Sequence, residues 1–359
     1  MATIRRLSIS PPLLNSSSPW ASEPDQLQEL FNSPHTGAVT TRTGTLTGFV
    51  ETANHTVVFA KDSISSCNSY GYSPHPLSFY LDYVEKILSA APEGSVKPFI
   101  ISISSSSPIS LASMLDGVQE LRGRLCDSSG AVSRVGVEMN TSCPNIKGSP
   151  PPAYNFHRLR PILDVLADYF WKDPTLAIGL KLPPYTYSTQ FDDLVRGIAS
   201  YSRPDPADRS RTLNPIAFLT STNTLGQTIL FEEQTYKLNS GAAGVNGTAA
   251  PNGASGNDHP ALPTVVGGLA GESLHALSLG NVYTFRQLLD ASEDEAVRAI
   301  AIVGVGGVTT REAHKRMRRA GAAVVELATL LAREGVKAFE TVSIVHENDG
   351  SVDNNGGSE

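Results

Sequence analysis

The sequence is short of the features that mark secreted, membrane-spanning and nucleic-acid-binding chains. It holds three cysteines in 359 residues, Cys67, Cys126 and Cys143. They are too few and too irregularly spaced for a disulfide framework or a zinc site, so a reducing compartment and no metal are expected. No apolar run reaches the roughly 20 residues that span a bilayer. The N-terminus, MATIRRLSIS, lacks the apolar centre of a signal peptide. Positive charge is sparse too. The formal net charge is −7, and Lys and Arg are scattered apart from a short cluster at 315–319 that reads as a solvated helix face. Nothing in it resembles a nucleic-acid stripe or a membrane-binding basic helix. These absences predict a cytoplasmic protein with neither nucleic acid nor membrane as partner.

Apolar residues, by contrast, make up 40% of the chain, enough for one large core. Runs of Ile, Val, Leu, Ala and Phe predict strands at 7–14, 37–42, 98–104, 134–140, 176–182, 215–221, 299–305 and 322–328. They do not alternate with polar residues, as expected of strands buried on both faces. Helical periodicity lies between them, at 24–31, 76–90, 108–125, 161–171, 189–201, 272–289, 309–320 and 330–347. Pro161 reads as a first-turn proline and Thr309 or Thr310 as an N-cap. Eight strands alternating with eight helices predict a single (β/α)8 TIM barrel over residues 1–346. A doubly wound open sheet fits the same count, because periodicity does not show closure. Residues 45–60 read as an inserted hairpin, 237–263 as a flexible surface loop rich in Gly, Ala, Asn and Pro, and 347–359 as a polar disordered tail.

In such a barrel the chemistry sits on loops after the strands, and the polar residues of this chain gather there. Residues 137–156 read VEMNTSCPNIKGSPPPAYNF, placing the Cys143 thiol at a strand end between the carboxamides of Asn140 and Asn145. A thiol can act as nucleophile or base, and a carboxamide both donates and accepts hydrogen bonds. Free cysteine is also among the most buried residue types, but a polar loop is a poor place for a core residue. Lys181 ends the apolar run LAIGLKLPP, where an ammonium is costly unless it meets an anion or reaches water at the rim. Gly304-Val-Gly-Gly-Val-Thr-Thr310 follows strand seven, and strand eight ends in Glu326-Leu-Ala-Thr329. That pair of loops is where barrels commonly seat a phosphate, and a tight βα turn explains the glycines equally well. Thr220-Ser-Thr-Asn-Thr224 fits either a capping cluster or Asn223 facing a ligand, and Cys67-Asn-Ser-Tyr-Gly71 adds a carboxamide and a glycine.

Taken together, Glu138-Met-Asn-Thr-Ser-Cys-Pro-Asn145, Gly179-Leu-Lys-Leu-Pro-Pro184, Phe79-Tyr-Leu-Asp-Tyr83 and Ser221-Thr-Asn-Thr-Leu-Gly226 resemble the dihydroorotate dehydrogenases, from about residue 13 to 337. The closest likeness is to the soluble class, a homodimer with FMN that oxidises dihydroorotate to orotate in pyrimidine synthesis and passes the electrons to fumarate. The resemblance implies Cys143 as general base. It implies Asn68, Asn140, Asn145, Asn223 and Thr224 against the pyrimidine ring, with the Gly71 and Tyr72 amides at the substrate carboxylate. For FMN it implies Ser16, Ser17, Arg42, Thr43, Asn140, Lys181 near N1 and O2 of the flavin, and Gly271, Gly306, Gly307, Ala328 and Thr329 at or near the phosphate. Arg42 stands where the family places a lysine, Ser16-Ser17-Ser18 where it places Ala-Ser-Gly, and Ala328 where it places glycine. A relative acting on another dihydropyrimidine, and an inactive flavin-binding relative, are the alternatives.

Overall fold

The computed structural model describes residues 1–146, 148, 150–237 and 259–344. Most of the predicted loop at 237–263, and the tail at 347–359, lie outside them. Eight parallel strands form one sheet: β1 (Leu13–Asn15), β2 (Val39–Thr40), β3 (Phe99–Ile103), β4 (Val135–Asn140), β5 (Ile178–Leu182), β6 (Ile216–Ser221), β7 (Ala301–Val305) and β8 (Val324–Leu327). Their spatial order is β1-β8-β7-β6-β5-β4-β3-β2. The sheet closes where Leu14 bridges Ala38 in parallel. The Asn15 carboxamide clamps that seam, donating to the Thr40 carbonyl at 2.6 Å and accepting from its amide at 3.0 Å. Closure excludes the open doubly wound sheet, and the (β/α)8 barrel stands.

Every residue of β3, β4, β5 and β6 is buried, which accounts for their unbroken apolar character. The period of two divides them between two cores. Val137, Met139, Ile178, Leu180, Leu219 and Val325 point out toward the helices. Ile100, Ala177, Phe218, Val303 and Val324 fill the lower lumen. Glycines make room there: a Cβ on Gly179 would lie 2.1 Å from the Phe218 ring, and one on Gly136 2.7 Å from Leu7.

The structure corrects the prediction at several places. The first strand is Leu13–Asn15 alone, because residues 7–9 pair instead with Ala2–Ile4 as an antiparallel hairpin. Pro11 and Pro12, which lack N–H donors, separate the two pieces. Ile4, Leu7 and Ile9 of this hairpin plug the barrel floor against the lower lumen residues. The inserted hairpin is not at 45–60. It joins Val57–Ala60 to Ser65–Asn68 through the polar turn Lys61-Asp-Ser63. With Gly267–Gly271, Leu225–Thr228 and Thr235–Tyr236 it makes a second, five-stranded antiparallel sheet, contributed by the segments after β2 and β6. Pro161 is interior to helix Phe156–Lys172, whose N-cap is Asn155, accepting from the His157 amide at 3.0 Å. Pro161 is solvent-exposed, so the carbonyl left without its helical donor can bond water. The last predicted helix is broken at Gly335 (φ +63°) into Thr329–Glu334 and Lys337–Val342. Thr310 is the cap of helix Arg311–Arg319, accepting from the Ala313 amide at 3.1 Å. Among the described residues no helix is long and apolar enough to cross a membrane.

Candidate active site

A cavity of about 1050 Å³, counted out to solvent, opens at the C-terminal ends of the barrel strands beside the second sheet. Of the residues singled out in the sequence, Ser16, Ser17, Arg42, Thr43, Asn68, Gly71, Asn140, Cys143, Asn145, Lys181, Asn223, Thr224, Gly271, Gly306, Gly307, Ala328 and Thr329 all line it. Tyr72 does not. Its phenol lies near Ser104 and Cys143, and its carbonyl accepts from Arg42 Nη2 at 3.2 Å.

The carboxamides form two linked sets. Asn140, the last residue of β4, donates to Thr43 Oγ1 at 3.0 Å, and its oxygen accepts from the Ser142 amide at 3.2 Å and from Asn223 Nδ2 at 3.4 Å. Asn223 also donates to Ser142 Oγ at 2.9 Å. Thr43 in turn meets Ser17 Oγ and Ser102 Oγ, each at 2.9 Å. The second set ties the loop after β4 to the second sheet: Asn145 donates to the carbonyls of Asn68 and Tyr70 at 3.2 and 2.8 Å, and Asn68 donates to Gly268 O at 3.2 Å. Side chains held at both ends in this way present fixed donor and acceptor edges to the cavity.

Cys143 lies between the two sets and is half-buried. Burial pushes its thiol up to about 11, while the Asn145 amide and the Arg42 charge pull the other way. At neutral pH the thiolate is therefore the minor form. A base of catalytic use is expected to have a depressed or matched value, and desolvation has moved this one in the opposite direction. The thiolate that does form is correspondingly strong as a base. Arg42, at the end of β2, is buried, ion-paired with Glu51 and placed with its guanidinium carbon 5.4 Å from the centre of the Tyr70 ring.

The far side of the cavity suits an anion. Gly306 (φ +127°) and Gly307 (φ +66°) take backbone conformations that side chains disfavour. A Cβ at either would collide with Ser278 or His275. Thr329 presents a hydroxyl beside them, 3.3 Å from Ser66 Oγ. Between this end and the thiol lies Lys181, buried, donating to Ser16 Oγ at 2.6 Å and to Glu326 Oε2 at 3.4 Å. Glu326 and Glu138 are site residues that no sequence motif marks. The available signal was periodicity: each is two positions beyond a lumen-facing residue, Val324 and Gly136, as Lys181 is beyond Gly179. Among the described residues no cluster of His, Cys, Asp and Glu could hold a metal ion.

Known proteins share this architecture and more of the sequence than the fold requires. A crystal structure of DHODH from Eimeria tenella in complex with ferulenol superposes with a TM-score of 0.67, covering 95% of this chain and 82% of its own, at 16% identity. That likeness concerns the fold. Two Streptococcus pneumoniae proteins, one from serotype 4, are each described as "Probable dihydroorotate dehydrogenase A (fumarate)". Each is 29% identical over 320 residues, 89% of this chain and 83% of the relative. The family model described as dihydroorotate dehydrogenase matches residues 3–346, a span that takes in the whole barrel and every residue of the cavity wall. The chain belongs to the dihydroorotate dehydrogenase family.

Proposed function

We propose that the cavity binds FMN and oxidises dihydroorotate to orotate in pyrimidine synthesis, with fumarate as the electron acceptor. The observation that carries this reading is the arrangement in one cavity of a thiol, two braced carboxamide sets, a buried ammonium and an anion seat. The donor set fits FMN: Gly306, Gly307 and Thr329 would hold the phosphate, with Gly271 nearby, and Lys181 and Ser16 lie where the polar edge of a flavin needs a cation and a hydroxyl. Gly271 has φ +84°, and a Cβ there would strike Ile64 O at 2.2 Å, so the chain passes this point only as glycine. When bound, FMN supplies the two-electron acceptor for the carbon–hydrogen bond that breaks at C6 of dihydroorotate.

The chain's own part is binding, orientation and one proton. Asn68, Asn140, Asn145 and Asn223 offer donor and acceptor edges that match the N–H and C=O groups of a pyrimidine, and a ligand without them would leave buried amides unpaired. Cys143 Sγ takes the proton from C5, and the low thiolate fraction makes this step faster as pH rises. The Lys181 ammonium favours negative charge on its neighbour, an electrostatic contribution that grows with burial. Fumarate, a small dicarboxylate, fits the pocket that orotate vacates. Among the relatives' printed names, the word fumarate supports this acceptor.

The Arg42–Glu51 ion pair favours a second reading, because the cation best placed for a substrate carboxylate already has a partner. A dihydropyrimidine without a carboxylate, such as dihydrouracil, would leave that pair intact. Steady-state formation of orotate from dihydroorotate, and of uracil from dihydrouracil, tests both. Dihydroorotate with fumarate is expected to turn over, while dihydrouracil, and NAD or a quinone in place of fumarate, give slower rates. Turnover of dihydrouracil alone would replace the first reading by the second. A homodimer, expected from the family resemblance, is proposed as the working unit.

A further inference from the structure

The upper lumen layer contains more negative than positive charge. Lys181 on β5 shares this layer with two buried carboxylates, Glu326 on β8 and Glu138 on β4. Glu138 is satisfied at both oxygens, accepting from Thr220 Oγ1 at 2.7 Å and Ser102 Oγ at 3.4 Å. Glu326 is not. Its Oε2 meets Lys181 Nζ at 3.4 Å, and its Oε1 is buried without a partner, although the residue lines the cavity. Lys181 makes its shorter bond, 2.6 Å, to Ser16 Oγ on β1 instead. Arg42 is the other Lys or Arg lining the cavity among the described residues, and Glu51 holds it. With all three groups ionised the cluster has one uncompensated negative charge in a desolvated lumen, which is costly. One proton on Glu326 Oε1 removes that charge and supplies a donor. Burial first and then the Glu138 charge favour this proton, the Lys181 charge and the Ser16 hydroxyl oppose it, and the balance raises Glu326 to about 7.

We propose that Glu326 is a proton-accepting partner of Lys181: it takes up a proton when negative charge arrives beside the Lys181 ammonium and releases it when that charge leaves. Glu326 acts through Lys181 and is thus a positioning residue. The inference rests on the FMN reading and adds a second proton to it. Reduction of the bound flavin takes two electrons and one proton at the ring. The additional negative charge there raises the affinity of Glu326 for a proton, so a second proton moves from water to Oε1, forming one O–H bond with no further electron transfer.

Potentiometric titration of the flavin-loaded protein against pH tests this. In a two-electron couple each proton taken up contributes about 30 mV per pH unit. From about neutrality up to pH 8 the wild type is expected to show about 59 mV per pH unit, and Glu326→Gln about 30. The reduced-minus-oxidised infrared spectrum should gain a protonated-carboxyl band that Glu326→Gln lacks. A wild-type slope of about 30 mV throughout overturns the proposal. So does a slope of about 59 mV that persists in Glu326→Gln, because the second proton would then reside on the flavin. If Glu326→Gln does not fold, the wild-type slope and band decide the matter. A protein that binds no flavin overturns the FMN reading and this proposal together; a flavin-loaded protein with a one-proton slope overturns only the proposal.

Discussion

The lower and upper halves of the barrel lumen are built by the same strands and have opposite chemistry. Below, Phe218, Val303, Val324 and the hairpin residues Ile4, Leu7 and Ile9 form one apolar cluster. Two residues beyond Phe218, Val324, Gly179 and Gly136 on their strands stand Thr220, Glu326, Lys181 and Glu138, all buried. A step of two along a strand keeps the side chain on the same face, so one geometric rule builds both the floor and the site. The difference teaches where stability and function are separated: apolar burial at the floor stabilises the fold and allows ionisable groups above it, whose burial alone is unfavourable.

Variants that damage one half and spare the other test this division. Phe218→Ala should lower unfolding free energy by about 3–5 kcal/mol, as truncation of a large core aromatic does. In the fraction that folds, flavin affinity should be unchanged, as read by denaturant unfolding beside flavin fluorescence quenching. Lys181→Met should do the reverse. Loss of a charged hydrogen-bond donor costs about 1.5–3 kcal/mol, seen as weaker flavin binding, while stability falls less than in Phe218→Ala because Glu326 can take a proton. A loss of stability without a change in flavin binding in Lys181→Met would erase the distinction between the halves.

The pH dependence sharpens the upper half further. The Cys143 thiol is raised to about 11, so the base form grows with pH throughout the working range. Flavin reduction by substrate should accelerate by about tenfold per pH unit from pH 6 to 9, in line with the thiolate fraction. A rate that levels off near pH 7 would mean that the thiol of the complex is far more acidic than its burial dictates. The smallest effect lies outside the lumen. Thr310→Ala removes the cap of helix Arg311–Arg319 and should cost about 1 kcal/mol by thermal unfolding, with the rate of flavin reduction unaffected.

Much of this was legible in the sequence because strand-end polarity is a local signal. The thiol at Cys143, the carboxamides beside it and the glycines after β7 all interrupt apolar runs, and the structure brings them to one cavity. The unread parts depend on long-range packing. The N-terminal hairpin has three-residue strands whose role is set by floor residues as distant in sequence as Phe218, Val303 and Val324. The second sheet joins segments on either side of β3 to β6, so its partners are invisible to any local pattern. Pro161 was misplaced because an exposed helix face tolerates an unpaired carbonyl. Glu326 was passed over because a single charge in VVEL reads as a strand-end residue until closure places it opposite Lys181.

The most direct measurement is anaerobic single-turnover bleaching of the flavin-loaded protein by dihydroorotate, in wild type and in Cys143→Ala. The account predicts complete bleaching in the wild type. In the variant it predicts retained flavin and a rate lower by about 10²–10⁴, the usual contribution of a general base. Wild-type protein that holds its flavin and is not bleached by dihydroorotate would contradict the account.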